Sequence, residues 1–319
     1  MYSRRSILFA LPALGALWSI RGLAQAYPSR PIRFVVPIAP GSATDLVARQ
    51  VSASLNKLWS QSVVVENRPG AGGVIGTDVV AKAQADGYTL LFTLSSHFTN
   101  PWLEKTPYDA VADFEPVARL VSTALVMVTA VDSKFKTVRD VIAAAKREPR
   151  SVSYASAGEG TASHMCGALL NTIAGIEMNH APYKNGSQAM IETASGQVQV
   201  AFSGQAALPL IRAGKLRVLA VTSAQRSALM PDAPPMNNAA GIDGYDFSSP
   251  IWAFAPKGTP AAVVTKLSDT LGVIVASPEF KAFCSAQALD PDYQPAATVR
   301  AGWSAEAAKW RRLVQLIRA

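Results

Sequence analysis

Two short stretches of this chain carry residue types suited to holding an anion. Pro40-Gly41-Ser42-Ala43-Thr44-Asp45 follows an apolar run, Phe34 to Ile38, and precedes Leu46, Val47, Val51, Leu55 and Leu58, which recur at helical spacing. The turn therefore joins the carboxyl end of a strand to the start of a helix. Ser42 is placed to cap that helix, and Asp45, three residues on, completes a capping-box-like pattern. The other N–H groups of the first turn have no acceptor within the helix, and the helix dipole makes them partly positive, so they attract anions. Ala157-Gly158-Glu159-Gly160-Thr161-Ala162-Ser163-His164 repeats this arrangement after the run Val152 to Ser156. The ligand-binding candidates are Pro40, Gly41, Ser42, Ala43, Thr44 and Asp45 from the first turn, and Ser156, Gly158, Thr161, Ser163 and His164 from the second. Serines that end two further strands, Ser95 with Ser96, and Ser203, complete the set. Glu159 would repel an anion and is expected to face solvent, while Asp45 is expected to cap; turned inward, it would accept from an ammonium or hydroxyl of the ligand.

The same residues offer a nucleophile and a base, in Ser163-His164 and in Ser95-Ser96-His97. Neighbours at a helix start diverge by about 100°, so they cannot form a nucleophile-base pair with each other. No Gly-x-Ser-x-Gly elbow occurs, which leaves a serine-dependent hydrolase as the weaker reading. His97, His164 and His180 form no ligand motif, and Cys166 and Cys284 are far apart in sequence. No catalytic residue, metal or cofactor is expected, and the two cysteines read as separate buried thiols, although an oxidising compartment would allow a bridge.

The elements that position these turns follow from periodicity. After the first strand and helix, a strand over 62–66 leads through the glycine-rich turn Asn67 to Gly73 into a helix over 74–85 and a strand over 88–94. Strand, helix, strand, helix, strand is a doubly wound rhythm with parallel strands, in which ligands bind beyond the strands' carboxyl ends. Two β-rich runs, 116–121 and 124–131, carry the chain into a second such unit containing the strands 152–156, 177–183, 198–203 and 216–222. An aromatic β run over 247–254 returns it to the first, and helices over 260–276, 278–287 and 297–317 follow. One lobe is thus expected from 27–123 plus 248–319 and the other from 124–247, joined by two crossings as a hinged clamp.

The whole chain has 319 residues, 49% of them hydrophobic, with a net charge of +8. That composition suits a globular protein and argues against disorder. Arg4-Arg5, the apolar segment Ile7 to Ile20 and Ala24-Gln25-Ala26 have the layout of an export signal over 1–26 with cleavage after Ala26. Ser3-Arg4-Arg5 leaves open whether the twin-arginine or the ordinary route is used. Cleavage removes Arg4, Arg5 and Arg21 and leaves 27 basic against 22 acidic residues, a net charge of +5. The excess is scattered, so no nucleic-acid footprint is expected.

The chain resembles the Bug receptors, TctC-like periplasmic solute-binding proteins of tripartite tricarboxylate transporters. The resemblance covers nearly all of the mature chain. It is carried by Tyr27-Pro28-Ser29-Arg30-Pro31-Ile32, by Val64 to Gly73 (VVENRPGAGG), by Ala85 to Leu91 (ADGYTLL), by Ala181-Pro182-Tyr183-Lys184 and by Gly214 to Ser223 (GKLRVLAVTS). It implies a type II periplasmic-binding-protein fold, α/β, with two doubly wound lobes, two crossover segments and a ligand cleft between them. It also implies a small organic carboxylate as ligand and membrane transporter subunits as partners; the export signal points to a periplasmic location, and a monomer is expected. A sensor docking on a membrane signalling protein would use the same cleft. Ser42 stands where the family has a second glycine, which adds a hydrogen-bonding side chain or narrows the pocket, and Asn185 stands where glycine is common.

Overall fold

The structure is a computed structural model that describes residues 27–227, 230–287 and 289–316, and the expected export signal over 1–26 lies outside the described residues. The chain runs through β1 (Ile32–Val36), α1 (Ala43–Trp59), β2 (Val63–Asn67), a 3-10 turn, α2 (Val74–Ala81), β3 (Thr89–Thr93) and α3 (Ser96–Leu103). Strands β4 (Phe114–Ala124) and β5 (Val126–Ala130) come next. They are followed by α4 (Val138–Arg147), β6 (Ser153–Ser156), α5 (Ala162–Ala174), β7 (Asn179–Pro182), α6 (Gly186–Ala194) and β8 (Val200–Ser203). The remainder is α7 (Leu208–Arg212), β9 (Leu216–Val221), α8 (Met236–Ala240), β10 (Ser248–Pro256), α9 (Ala261–Ala276), α10 (Pro278–Gln287), β11 (Asp290–Pro295) and α11 (Ala296–Leu316). Among the described residues no single helix is long and apolar enough to cross a membrane.

These elements build two mixed α/β lobes, one on each sheet. The first sheet has the order β11-β4-β10-β3-β1-β2 and the second β7-β6-β8-β5-β9. The parallel pairing expected from strand-helix-strand units holds for β1 with β2 and β3, and for β6 with β7 and β8. The sheets are nonetheless mixed. β10 runs antiparallel to β3 and β4, and β5 antiparallel to β8 and β9, because these strands arrive from the other lobe and not over a crossover helix. Elements the spacing did not announce are α3, which starts where a polar strand end was expected, the short α8, and β11. The last is rich in proline and aspartate but lies at the sheet edge on β4, where a missing N–H costs little.

β4 passes into β5 through Leu125, and Thr222 stitches this crossing to the returning one. Its buried hydroxyl accepts from Leu125 N–H at 2.8 Å and donates to the Phe247 carbonyl at 2.8 Å. Backbone bonds reinforce the join, from Thr222 N–H to Leu125 O and from Phe247 N–H to Thr222 O. The terminal helix α11 also serves both lobes: Trp303 packs edge-on against Phe98 and Phe254, and Trp310 against Phe247. One apolar cluster therefore runs from Val35 and Leu91 in the first lobe to Tyr154, Leu170 and Phe202 in the second. Cys166 and Cys284 are buried and free.

Candidate functional site

The first turn is held by its own acid. Ser42 is the extended N-cap of α1 and accepts from Asp45 N–H at 3.3 Å, while Gly41 takes a φ of +80° that few side chains tolerate. One oxygen of the Asp45 carboxylate accepts from Gly41 N–H at 2.9 Å and Arg49 Nε at 3.0 Å, and the other from Asn67 Nδ2 at 2.9 Å. Asn67 also reaches the Ile38 carbonyl and accepts from Arg49. Burial alone would raise the Asp45 pKa, but the bonds from Arg49, Gly41 and Asn67 outweigh it and leave the carboxyl below its ordinary range. Asp45 thus faces its own loop, and the sequence reading missed Asn67 and Arg49 as its partners. What remains unpaired is the N–H of Ala43 and of Thr44, which have no acceptor among the described residues.

The second turn is knitted more densely. Gly158 and Gly160 adopt φ values of +119° and +71°. Thr161 caps α5, with its Oγ1 accepting from His164 N–H at 3.4 Å and donating to the Gly158 carbonyl at 2.6 Å. Ser163 Oγ accepts from Ala157 N–H at 3.0 Å. The N–H groups of Ala162 and Ser163 are left without an acceptor among the described residues. Glu159 is exposed, on the solvent side.

A third helix start joins these two. α6 begins at Gly186, capped by Asn185, whose side chain accepts from Gln188 N–H at 2.9 Å. All three helix starts meet at one cavity of about 310 Å³, lined by Ala43 from the first lobe, by Ala157, Thr161, Ala162, Ser163, Gly186, Phe202, Ser203 and Gly204 from the second, and by the crossing residues Thr123, Ala124 and Leu125 with Leu289. No side chain in this lining is charged. Polar capacity is concentrated in helix-start amides and hydroxyls, and the remainder is apolar, which is the make-up of a site for a small ligand with an anionic end. A larger hollow of about 690 Å³ near Trp102, Tyr108 and Arg311 has no comparable convergence of helix starts. Its acids Asp109 and Asp113 are already bound to backbone N–H groups.

Of the residues singled out by sequence, Ala43, Thr161, Ser163 and Ser203 line the cavity. Gly41, Ser42, Asp45, Ser156, Gly158 and His164 build the two turns behind it, and Pro40 is exposed at the first turn's tip. Thr44 is fully buried and its hydroxyl has no hydrogen-bond partner among the described residues. Ser95 instead reaches across to Ser249 on β10, 3.1 Å between hydroxyl oxygens, and Ser96 begins α3 outside the lining. The sequence reading missed Gly186, the crossing residues 123–125 and Leu289. Gly186 had a signal in Asn185-Gly186, a cap followed by a helix start.

No catalytic pair forms from the sequence candidates. His97 is fully buried, bonded through Nε2 to the Ala110 carbonyl at 2.7 Å, and burial lowers its pKa to about 4. Ser163 bonds to Ala157 and lies 3.0 Å from Thr161 Oγ1, with no histidine partner. A serine–histidine bond does occur between Ser156 Oγ and His180 Nε2 at 2.7 Å, but Ser156 is wholly buried and engaged with Gly158, out of reach of a substrate.

Residues 47–318 match the family model described as "Tripartite tricarboxylate transporter family receptor". A UPF0065 protein encoded between tcbD and tcbE in Pseudomonas sp. (strain P51) is 38% identical over 257 residues, covering 80% of this chain and 76% of that protein. Among solved structures, the R. palustris protein Rpa4515 with adipate is 30% identical with a TM-score of 0.72, covering 91% of this chain and 98% of its own. The periplasmic binding protein BugD is 33% identical with a TM-score of 0.68 at the same coverage. Two lobes, a cavity ringed by helix starts and a family match across most of its length agree: the chain belongs to the tripartite tricarboxylate transporter receptor family of solute-binding proteins.

Proposed function

We propose that this protein is an extracytoplasmic receptor, exported with cleavage after Ala26, that captures a small carboxylate in its interlobe cavity by closing on it and delivers it to a membrane tripartite tricarboxylate transporter. The observation that carries this reading is the convergence of helix starts on one cavity without charged side chains: the unpaired N–H groups of Ala43 of α1 and of Ala162 and Ser163 of α5, and the start of α6 at Gly186. A carboxylate oxygen there receives charge-assisted hydrogen bonds, each worth about 1.5–3 kcal/mol net. One such bond from each lobe is comparable to the few kcal/mol that separate open and closed states of a hinge, so a ligand touching both lobes drives closure. The lining hydroxyls of Thr161, Ser163 and Ser203 and the apolar Leu125, Phe202 and Leu289 select the rest of the ligand. That a similar structure contains adipate supports the carboxylate class.

Thermal melting of the mature protein against a panel of mono- and dicarboxylates, adipate included, tests the reading. Saturating carboxylate is expected to raise Tm by several degrees, since ligand at about 100 times Kd stabilises by roughly 2.7 kcal/mol. A neutral sugar panel that raises Tm while every carboxylate leaves it unchanged would overturn it.

A further inference from the structure

Behind the second turn stand two rings that the carboxylate reading does not use. His164, in the first turn of α5, and His180, on β7, are stacked with centroids 3.7 Å apart and planes within 6°, and Tyr154 lies beside the pair, 5.0 Å from His180 at 25° and 6.4 Å from His164. Each imidazole holds part of the turn. Gly160 N–H donates to His164 Nδ1 at 3.1 Å, so that nitrogen carries no proton. His180 Nε2 pairs with Ser156 Oγ at 2.7 Å, and the same Oγ accepts from Gly158 N–H at 3.1 Å. The two glycines fixed in this way set the direction in which Thr161, Ala162 and Ser163 enter α5.

We propose that His164 and His180 are positioning residues of the anion turn, holding Gly158 and Gly160 in the ligand-receiving arrangement while both rings are neutral and releasing them when the pair is protonated. The geometry gives the reason. A proton on His164 Nδ1 faces the Gly160 N–H donor to donor, and two imidazolium rings at 3.7 Å repel. Burial, and then the neighbouring His164, lower the His180 pKa to about 4, and burial lowers that of His164 against the opposing pull of Glu159. The other titratable group against the pair is Tyr154, with Cys166 beyond it, both neutral because burial raises their pKa values. Lys309 and Arg312 of α11 lie beside Leu169 and Ile173, farther along α5. The turn is therefore intact above the ordinary histidine pKa of about 6.5 and loosens as pH falls through the lowered values. The further consequence, a loss of anion affinity in acid, rests on the carboxylate reading and is opposite in sign to simple attraction between an anion and a new cation.

The mature protein labelled in histidine and glycine is titrated by NMR without ligand. Both ring signals are expected to titrate below the ordinary histidine pKa of about 6.5, with the Gly158 and Gly160 amides following the same curve. In His180→Phe, which keeps an aromatic ring in the stack, the acid shift of the Gly158 amide is expected to disappear and the His164 pKa to rise. Rings that titrate near 6.5, or glycine amides that do not follow them, overturn the proposal. Adipate is the binding probe, at about pH 7.5 and 4.5, and the variant controls for the ligand's own protonation. The wild type is expected to lose more affinity than His180→Phe over that interval, and an equal loss in both, or a gain in acid, refutes the gating. If no carboxylate binds at pH 7.5 the carboxylate reading fails by itself, and the glycine amides still decide whether the pair holds the turn.

Discussion

Replacing Thr222 by Val is expected to destabilise the protein by about 2–4 kcal/mol, although the two side chains are nearly the same size. Thr222 is fully buried where the two crossings meet, and its hydroxyl bonds at 2.8 Å to both Leu125 N–H and the Phe247 carbonyl. Valine fills the space but leaves that donor and that acceptor without partners, and each buried polar group left unsatisfied costs about 1–3 kcal/mol. The backbone bonds of residue 222 to Leu125 and Phe247 survive, which keeps the loss below the sum of two full penalties. Thr222→Ser separates the causes: it keeps the hydroxyl and removes one methyl, for about 1 kcal/mol. Urea unfolding of wild type and both variants measures the difference, with the midpoint moving and the slope unchanged. A valine variant within about 0.5 kcal/mol of wild type, or a serine variant less stable than the valine one, would refute the idea that this hydroxyl ties the crossings together.

Gly186→Leu tests the cavity directly. A Cβ at Gly186 meets only the Ala206 and Ala157 Cβ atoms and Ser203 Oγ, at 3.5–4.0 Å, so the variant is expected to fold with stability within about 1 kcal/mol of wild type while its side chain fills ligand space and abolishes the carboxylate-induced rise in Tm. Unchanged ligand response would place the site elsewhere. His97 predicts a pH dependence of stability. With a folded pKa of about 4 against about 6.5 unfolded, it stays neutral in the core while the unfolded chain takes up its proton, so stability is full above about pH 6.5 and falls by about 3 kcal/mol as pH drops toward 4. Urea unfolding at several pH values should show that fall, and His97→Gln should flatten it; an equally steep slope in the variant would assign the loss to other groups.

Much of the site could be read locally. The apolar run of β1, Gly41, the Ser42 cap and the helical spacing of α1 lie within one continuous stretch, and a helix cap is made by residues three or four apart, so sequence alone determined that two glycine-containing turns open onto helix amino-termini. The inward or outward sense of Asp45 was harder to see. It depended on Asn67, 22 residues away at the end of β2, reaching over to complete its hydrogen bonds. Likewise Ser95 had the right type and strand position, yet the return of β10 placed Ser249 against it and α3 carried Ser96 aside.

The tertiary structure alone decided which helix starts meet. Gly186, Leu125 and Leu289 enter one cavity with Ala43 and Ser163 because β4 and β10 cross between the sheets and bring segments of both lobes to the same place. His164 and His180, 16 residues apart, stack because β6 and β7 pair in parallel register with Tyr154 opposite His180, which brings β7 under the first turn of α5. The physical reason is range. Caps, turns and periodicity are set by hydrogen bonds and burial within a few residues, whereas strand order and lobe packing are set by the burial of the whole apolar core, and no local pattern records their outcome.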